Sequence, residues 1–148
     1  TNQTKIIANP NCRKILNRGQ EMKNGDVLQL AKDIKLEAVP AYNTTLGRDK
    51  FHPKRRDNGY ILTLGGTRIY IAGDTEDIPE LNQVKDIDIA FLPVNQPYTM
   101  TPEQAIRAAK IIKPRVLYPY HYGETDIHKV KDGLKNETGT EVRIRALQ

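Results

Sequence analysis

The sequence predicts an α/β domain in which a mixed β-sheet carries helices packed on one face. Apolar segments in the first half follow one another through short turns, which is typical of antiparallel strands. Those in the second half alternate with helical patterns, which favours parallel strands. The 148 residues are enough for one domain, and we expect residues 1–148 to belong to a single unit.

The first half predicts five strands and one short helix. The strands are expected at 5–8, 27–30, 34–39, 59–64 and 67–72, and the helix between Pro10 and Gly19. Gly65 and Gly66 join the last two strands as a hairpin, and Pro40 is expected to end the third strand. Residues 43–58 lack periodicity, and so long a loop in a compact domain is usually functional.

The second half predicts three more strands and two helices. A buried strand at 87–94 is followed by a helix whose start carries a capping box, Thr101 with Gln104. Pro114 ends that helix before a strand that leads to His121. A polar helix at 127–136 and a strand at 141–146 complete the chain. The edge strands of such a sheet would need covering, and we expect a further sheet outside this chain.

The amino-acid composition limits the kinds of partner that this chain can be expected to bind. The net charge of +5 favours anionic ligands, but the basic residues are dispersed except at 48–56. No apolar run approaches the roughly 20 residues needed to cross a bilayer, so no membrane partner is expected. The single cysteine, Cys12, is interpreted as a buried structural residue. Because one cysteine cannot form an internal disulfide, we expect a reducing, cytoplasmic compartment. The chain begins without Met, so we expect the native amino terminus upstream.

Two predicted strands end in side chains suited to binding a metal. Asp74 follows the apolar 69–72 segment directly after Gly73, and His121 ends the strand that begins near Val116. A carboxylate at the end of a buried strand is costly without a partner. His52, in the long loop, is a third candidate, whereas His128 is expected to be exposed. Imidazoles and carboxylates hold hydrolytic metals, which lower the pKa of a bound water to about 7.

Seven short motifs occur in an order that resembles a known family. They are Pro40-Ala41-Tyr42-Asn43, Phe51-His52-Pro53, Gly59-Tyr60, Ile69-Tyr70-Ile71-Ala72-Gly73-Asp74-Thr75, Leu92-Pro93-Val94, Tyr98-Thr99-Met100-Thr101 and His121-Tyr122-Gly123. Together they resemble the metallo-β-lactamase superfamily. The nearer resemblance is to its predicted Zn-dependent hydrolase branch, which includes ascorbate-6-phosphate lactonase-like enzymes.

The resemblance implies a four-layer αββα sandwich with two metals between its sheets. It implies that Asp74 bridges the metals and that His121 binds one of them. Zn is the implied metal, with Mn, Fe or Ni as alternatives, and a metal-activated hydroxide is the implied nucleophile. The family's leading His-x-His-x-Asp-His motif is absent from the sequence. The chain therefore resembles the carboxyl-terminal part of the domain, with the amino-terminal portion missing.

The middle ligand is ambiguous in the sequence. Many members of the superfamily place a histidine soon after the strand that ends in Pro-Ala, where this chain has Asn43. His52 follows nine residues later and is the favoured substitute. The alternative is that His52 faces the substrate and leaves the metal alone.

Three functions are compatible with these observations. The first is a metal-dependent hydrolase of a small-molecule ester, lactone, amide or phosphoester, with the basic loop favouring an anionic substrate. The second is a nuclease of the same superfamily, although no basic stripe interleaved with aromatic residues supports nucleic-acid binding. The third is an inactive half-domain that depends on a partner. We expect the isolated chain to be inactive and to self-associate as a homo-oligomer through exposed apolar surface.

Overall fold

The computed structural model describes residues 4–148, which form one large mixed sheet, one small parallel pair of strands and three α-helices. The small pair is β1 (Ile7–Ala8) and β2 (Gln20–Glu21), separated by α1 (Pro10–Leu16). The large sheet contains β3 (Val27–Ala31), β4 (Ile34–Ala41), β5 (Asp57–Leu64), β6 (Thr67–Ile71), β7 (Ile89–Pro93), β8 (Val116–Tyr120) and β9 (Glu141–Val142). The remaining helices are α2 (Pro102–Ile112), α3 (His128–Gly133) and a 3₁₀ helix, Pro79–Gln83.

The seven strands of the large sheet lie side by side in sequence order. From β3 to β6 each neighbouring pair is antiparallel, and from β6 to β9 each pair is parallel. Short turns join β3 to β4 and β5 to β6, and a long loop joins β4 to β5, whereas the parallel pairs need the crossovers that contain the helices. The predicted mixed sheet, with strands that alternate with helices in the second half, is confirmed.

The two faces of this sheet differ because successive side chains point to opposite sides. On one face Tyr70, Ala90 and Leu117 are aligned by the strand register and are fully buried. Helix α2 packs over this face with Ala105 and Ala108, which are also fully buried. The hydrophobic core therefore lies between the sheet and the helices.

The opposite face is apolar as well but only half-buried, and we call it the second face. The register aligns one apolar residue from each of six neighbouring strands across it: Leu28, Leu36, Leu62, Ile69, Ile89 and Val116. A parallel row contains Ile71, Phe91 and Tyr118, and the rings of Phe91 and Tyr118 stack with centroids 5.2 Å apart. Ile71 is 40% exposed. An apolar surface that crosses a whole sheet is typical of a face that packs against another layer.

Helix α2 begins and ends as its sequence predicts. The Thr101 hydroxyl accepts from the Gln104 amide at 3.1 Å, and the Gln104 side chain accepts from the Thr101 amide at 2.8 Å. The helix ends at Ile112, and Lys113 adopts a left-handed conformation before Pro114. These local signals fix the position of the crossover between β7 and β8.

Some predicted boundaries were wrong. Strand β4 continues through Pro40, because its register with β3 ends at Glu37 and Pro40 pairs with β5 alone within the sheet. Helix α1 ends at Leu16 because Asn17 adopts the left-handed conformation that asparagine tolerates, three residues before the position predicted. Cys12 is exposed, since α1 buries none of its side chains.

Within residues 4–148, no helix combines the length and the apolar character that a membrane span requires.

Candidate metal centre

Asp74 and His121 meet at the carboxyl end of the parallel strands. Strands β6 and β8 both pair with β7 in parallel, so the residues that follow them emerge at the same edge of the sheet. The Asp74 Oδ1 atom lies 2.8 Å from the His121 Nδ1 atom. The contact predicted from the two strand ends is therefore present. Both side chains remain more than one third exposed, at 35% and 39%, so ligands from solvent can reach them.

The backbone beside both residues has a left-handed conformation. Gly73, just before Asp74, has φ 68°, and a Cβ atom there would lie 2.7 Å from the Asn58 carbonyl oxygen. Glycine is therefore required to bring the Asp74 backbone against β5. His121 has φ 45°, a conformation that non-glycine residues seldom adopt and that concentrates at functional sites. A hydrogen bond from the His121 amide to the Leu147 carbonyl oxygen, 2.8 Å long, supports this conformation.

His52 reaches the same carboxylate from the loop. Its Nε2 atom lies 3.6 Å from Asp74 Oδ2, so each oxygen of Asp74 faces a different imidazole. The other ring nitrogen, Nδ1, lies 3.4 Å from Asp57 Oδ2. With its proton on Nδ1, His52 would donate to Asp57 and leave the Nε2 lone pair for an ion between the imidazole and Asp74. This is how carboxylates orient metal-binding histidines.

Asp57 is itself held by Arg56 and Asn9. The Arg56 guanidinium donates to Asp57 Oδ2 at 2.8 and 3.0 Å, and the Asn9 side chain donates to Oδ1 at 3.2 Å. Asp57 was not among the residues predicted for the site. Its position at the first residue of β5, five residues after His52, is a signal that would have suggested it.

Asn43 has a different role from His52 in this structure. Its side-chain nitrogen donates to the carbonyl oxygens of Arg48 and Tyr98, at 3.0 and 2.7 Å, and the side chain is buried. Because two carbonyl acceptors fix the amide orientation, Asn43 connects the loop to the segment that contains Tyr98. Its Oδ1 atom is buried without a partner among the described residues. Of the two candidates for the middle ligand, His52 is the one in contact with Asp74.

Glu76 is the functional residue that the sequence analysis missed most clearly. It is fully buried, two residues after Asp74. Its Oε2 atom accepts from the backbone amides of Thr44 and Thr45 at 2.8 and 2.7 Å, and its Oε1 atom lies 3.1 Å from an Arg48 nitrogen. Arg48 in turn donates to the carbonyl oxygens of Pro97, at 2.8 Å, and Thr99. The loop that contains His52 is thereby fixed beside Asp74.

The pKa of Glu76 reflects these contacts. Burial alone would raise the pKa, but the hydrogen bonds from the backbone and side chains of Thr44 and Thr45 outweigh burial and lower it below 4.5. A carboxyl whose pKa is lowered by folding stabilises the protein above its unfolded pKa, and that stabilisation disappears as the pH falls through the folded pKa.

We expect Glu76→Ala to lower the free energy of unfolding by about 3 kcal/mol at pH 7, because it leaves Arg48 without its buried counter-ion and two amides without an acceptor. Denaturant unfolding at pH 7 measures the loss. The difference from wild type should shrink as the pH falls below about 4.5. Glu124→Ala removes an exposed carboxylate and is the control, with a change below about 0.5 kcal/mol. A loss of the same size in both variants would contradict the role of Glu76.

Tyr120 adds a phenol to the site. Burial raises the pKa of Tyr120, and the nearby Asp74 carboxylate raises it further, against a smaller opposing effect of the Gly73 backbone. The Tyr120 phenol thus lies close enough to Asp74 for the carboxylate to influence its pKa. Its ring lies 6.4 Å from the His121 ring, centroid to centroid.

Most charges of the basic loop are neutralised. Arg48 pairs with Glu76, Lys54 with Glu80 at 3.1 Å, and Arg56 with Asp57. The Lys50 ammonium lies 5.1 Å from the centroid of the Phe51 ring. The positive potential predicted for the whole loop is therefore weaker than the sequence suggests, since paired charges largely cancel at a distance.

The donor types of the site suit a metal ion, but their number is small. Asp74, His52 and His121 offer one carboxylate and two imidazoles, the ligand chemistry of Zn, Mn, Fe and Ni. Within residues 4–148, however, no group of three or more His, Cys, Asp or Glu side chains is arranged closely enough to hold an ion. These residues fit one side of a metal site and would need further ligands to complete it.

The fold is an α/β domain with one carboxylate and two imidazoles gathered at the carboxyl edge of its parallel strands. Residues 4–121 match the model of the beta-lactamase superfamily domain. The chain therefore belongs to the beta-lactamase superfamily.

Two related proteins are named as metal-dependent hydrolases. The chain is 33% identical over 122 residues to a UPF0173 metal-dependent hydrolase of Pelotomaculum thermopropionicum, an alignment covering 75% of this chain and 54% of that protein. It is 39% identical over 115 residues to a UPF0173 metal-dependent hydrolase of Thermococcus kodakarensis, covering 74% of this chain and 50% of that protein. The chain thus spans about half the length of these relatives.

Two solved structures share the fold. A candidate metal-dependent hydrolase from Parabacteroides distasonis is 61% identical, with a TM-score of 0.96, and matches 100% of this chain and 67% of its own. The metallo hydrolase Igni18 from Ignicoccus hospitalis is 24% identical, with a TM-score of 0.81, over 97% of this chain and 66% of its own. The predicted superfamily and fold class are confirmed, whereas the narrower resemblance to ascorbate-6-phosphate lactonase-like enzymes stays a prediction.

Proposed function

We propose that this chain is the carboxyl-terminal part of a metal-dependent hydrolase of small molecules. The observation that carries the proposal is that the two oxygens of Asp74 face two different imidazoles, those of His121 and His52. A carboxylate in this position suits a bridge between two ions. The relatives named as metal-dependent hydrolases support the same activity.

The remaining ligands would come from a segment that precedes this chain and packs on the second face. The apolar rows across that face support this part of the proposal, because burying them needs another layer. The Parabacteroides distasonis protein is consistent with a larger domain, since one third of that chain lies outside the matched region. In the complete protein Asp74, His121 and His52 would hold the metal together with those ligands. Zn is the metal we favour.

A metal bound there would act as a Lewis acid that activates water for attack on an ester, lactone, amide or phosphoester. The chain's own residues would prepare the site. Asp57 keeps the Nε2 atom of His52 directed at the Asp74 carboxylate, and the Glu76–Arg48 pair holds the loop in place. Tyr120 offers a protonated hydroxyl for a substrate oxygen. We propose a cytoplasmic location because a single cysteine suits a reducing compartment.

The proposed function is tested by replacing one histidine inside the site and one outside it. We expect His121→Ala to weaken metal binding by the full-length protein by more than about 100-fold, because even residues behind the ligands contribute 10- to 100-fold. His128→Ala is the matched control, since His128 is exposed at the start of α3. Metal titration and hydrolysis of a panel of esters, lactones and phosphoesters measure both variants.

Equal metal affinity in the two histidine variants would remove His121 from the metal site. A loss of substrate affinity in His121→Ala, with metal content unchanged, would make His121 a substrate contact instead. The absence of metal-dependent hydrolysis of every substrate class by the wild-type protein would contradict the proposed function itself.

A further inference from the structure

A cavity with three cationic side chains in its walls lies beside Asp57, whose sequence neighbours Arg56 and Asn58 line it. Its volume is about 470 Å³, and its walls are formed by Pro10, Lys23, Asn24, Arg55, Arg56 and Asn58. Three of these six residues are cations, and no carboxylate belongs to the lining. A concave surface with one sign of charge concentrates ligands of the opposite sign.

The hydrogen-bond donors that line this cavity are not equally available to a ligand, because some already bind other groups of the protein. The Asn24 side chain donates to the Asp57 carbonyl oxygen at 2.9 Å and to Asn58 Oδ1 at 2.7 Å. Arg56 is bound to Asp57. Lys23 lies 3.4 Å from Glu21, but both side chains are largely exposed, so this pair is weak. Lys23 and Arg55 are therefore the cations with the most capacity for a ligand.

Arg55 is the most informative of these residues. Its side chain is exposed and has no ion-pair or hydrogen-bond partner in the part of the chain that the structure describes. Its backbone has φ 72°, in the left-handed region that arginine rarely adopts. An exposed arginine without an ion-pair or hydrogen-bond partner is free to bind an anionic ligand. The conformation directs the loop so that Arg55 and Lys23 line the same cavity.

Asp57 connects the cavity with the candidate metal centre. Its Oδ2 atom accepts from Arg56, which lines the cavity, and lies 3.4 Å from the Nδ1 atom of His52. A molecule with an anionic group in the cavity would thus lie close to the Asp74 cluster. The guanidinium of Arg55 and the ammonium of Lys23 suit a phosphate-type oxyanion, which accepts charge-assisted hydrogen bonds from several donors at once.

We propose that this cavity binds a phosphate-type oxyanion carried by the substrate, with Arg55 and Lys23 as the anion-binding groups. The assignment of the anion to the substrate rests on the proposed function, but the binding of the anion does not. The cations of the basic loop would then have two different roles. Arg48, Lys54 and Arg56 stabilise the structure, and Arg55 binds the ligand.

Inorganic phosphate is the probe, and calorimetry on the full-length protein after removal of metals by a chelator is the measurement. Removing metals excludes phosphate bound by an ion. We expect saturable binding to wild type and a loss of about tenfold or more in Arg55→Gln and in Lys23→Gln, since each removes a charged donor. Lys14→Gln, which removes an exposed charge of α1 outside the cavity lining, should bind phosphate like wild type.

Arg55→Gly separates ligand binding from stability. Glycine adopts φ 72° without strain, so this variant should melt at the same or a higher temperature while losing phosphate affinity. Unchanged phosphate affinity in both Arg55 variants, or an equal loss in Lys14→Gln, would overturn the proposed site. Neither result would affect the metal titrations that test the hydrolase.

The source of the anion is tested by competition and by kinetics. With the metal-loaded enzyme, Arg55→Gln should raise KM for a phosphorylated or carboxylated ester and leave KM for its neutral analogue unchanged. An equal rise for both substrates would contradict the assignment of the anion to the substrate. Displacement of phosphate by single-stranded RNA, but not by small phosphate esters, would assign the site to nucleic acid and would also overturn it.

Discussion

Asp74→Asn should abolish hydrolysis by the full-length protein and reduce its metal affinity by more than about 100-fold. Asparagine keeps the shape of the side chain but loses the negative charge that would hold two cations, and one carboxylate oxygen becomes a nitrogen donor. The loss should exceed the 10- to 100-fold expected for residues that only orient a ligand. Because Asp74 is 35% exposed, the free energy of unfolding should change by less than about 1 kcal/mol.

Elemental analysis of metal content, metal titration and denaturant unfolding together measure this prediction. Asp86→Asn is the matched control, since Asp86 is exposed and its φ of 56° suits asparagine equally well. The control should retain its metal and its activity. Full metal occupancy in Asp74→Asn would show that Asp74 is not a bridging ligand.

The second large effect concerns the 148-residue chain by itself, which should have no metal-dependent hydrolase activity. Asp74, His121 and His52 supply too few ligands for two ions. The second face should also lead the chain to self-associate, because its apolar rows remain accessible to solvent. Adding a segment that corresponds to the unmatched third of the Parabacteroides distasonis protein should restore both activity and a monodisperse state.

Light scattering and hydrolysis assays with Zn or Mn, on the chain alone and after mixing, measure this prediction. Leu64→Lys introduces a charge at the edge of the second face, where Leu64 is 47% exposed, and should reduce self-association. Leu46→Lys, at a loop position that is 97% exposed, is the control and should leave self-association unchanged. Activity of the chain alone would show that its own residues complete a metal site.

The sequence predicted most of the fold because its signals are local. Alternating apolar residues, the Gly65-Gly66 turn and the Thr101 capping box each specify a conformation within a few residues, and all three appear in the structure. The predictions were wrong where contacts between distant residues determine the structure. Pro40 stays within β4 because of how β3 ends, which the residues around Pro40 do not indicate.

The candidate site likewise contains residues that the sequence predicted and residues that it did not. The sequence placed Asp74 and His121 at strand ends, and their contact follows once both strands are parallel neighbours of β7. The contributions of Glu76 and Asp57 were not predicted. Glu76 acts through Arg48 and Asp57 through Arg56 and His52, and in an unpatterned loop the sequence does not indicate which acid meets which base.

By itself, then, the sequence determined the order of strands and helices, the superfamily resemblance and the positions of Asp74 and His121 at strand ends. Only the tertiary structure decided that His52, and not Asn43, contacts Asp74, and that Arg55 lines a cavity together with Lys23. The physical reason is the distance along the sequence over which each kind of interaction acts. Backbone conformation follows from neighbouring residues, whereas the pairing of charges depends on which segments the folded sheet brings together.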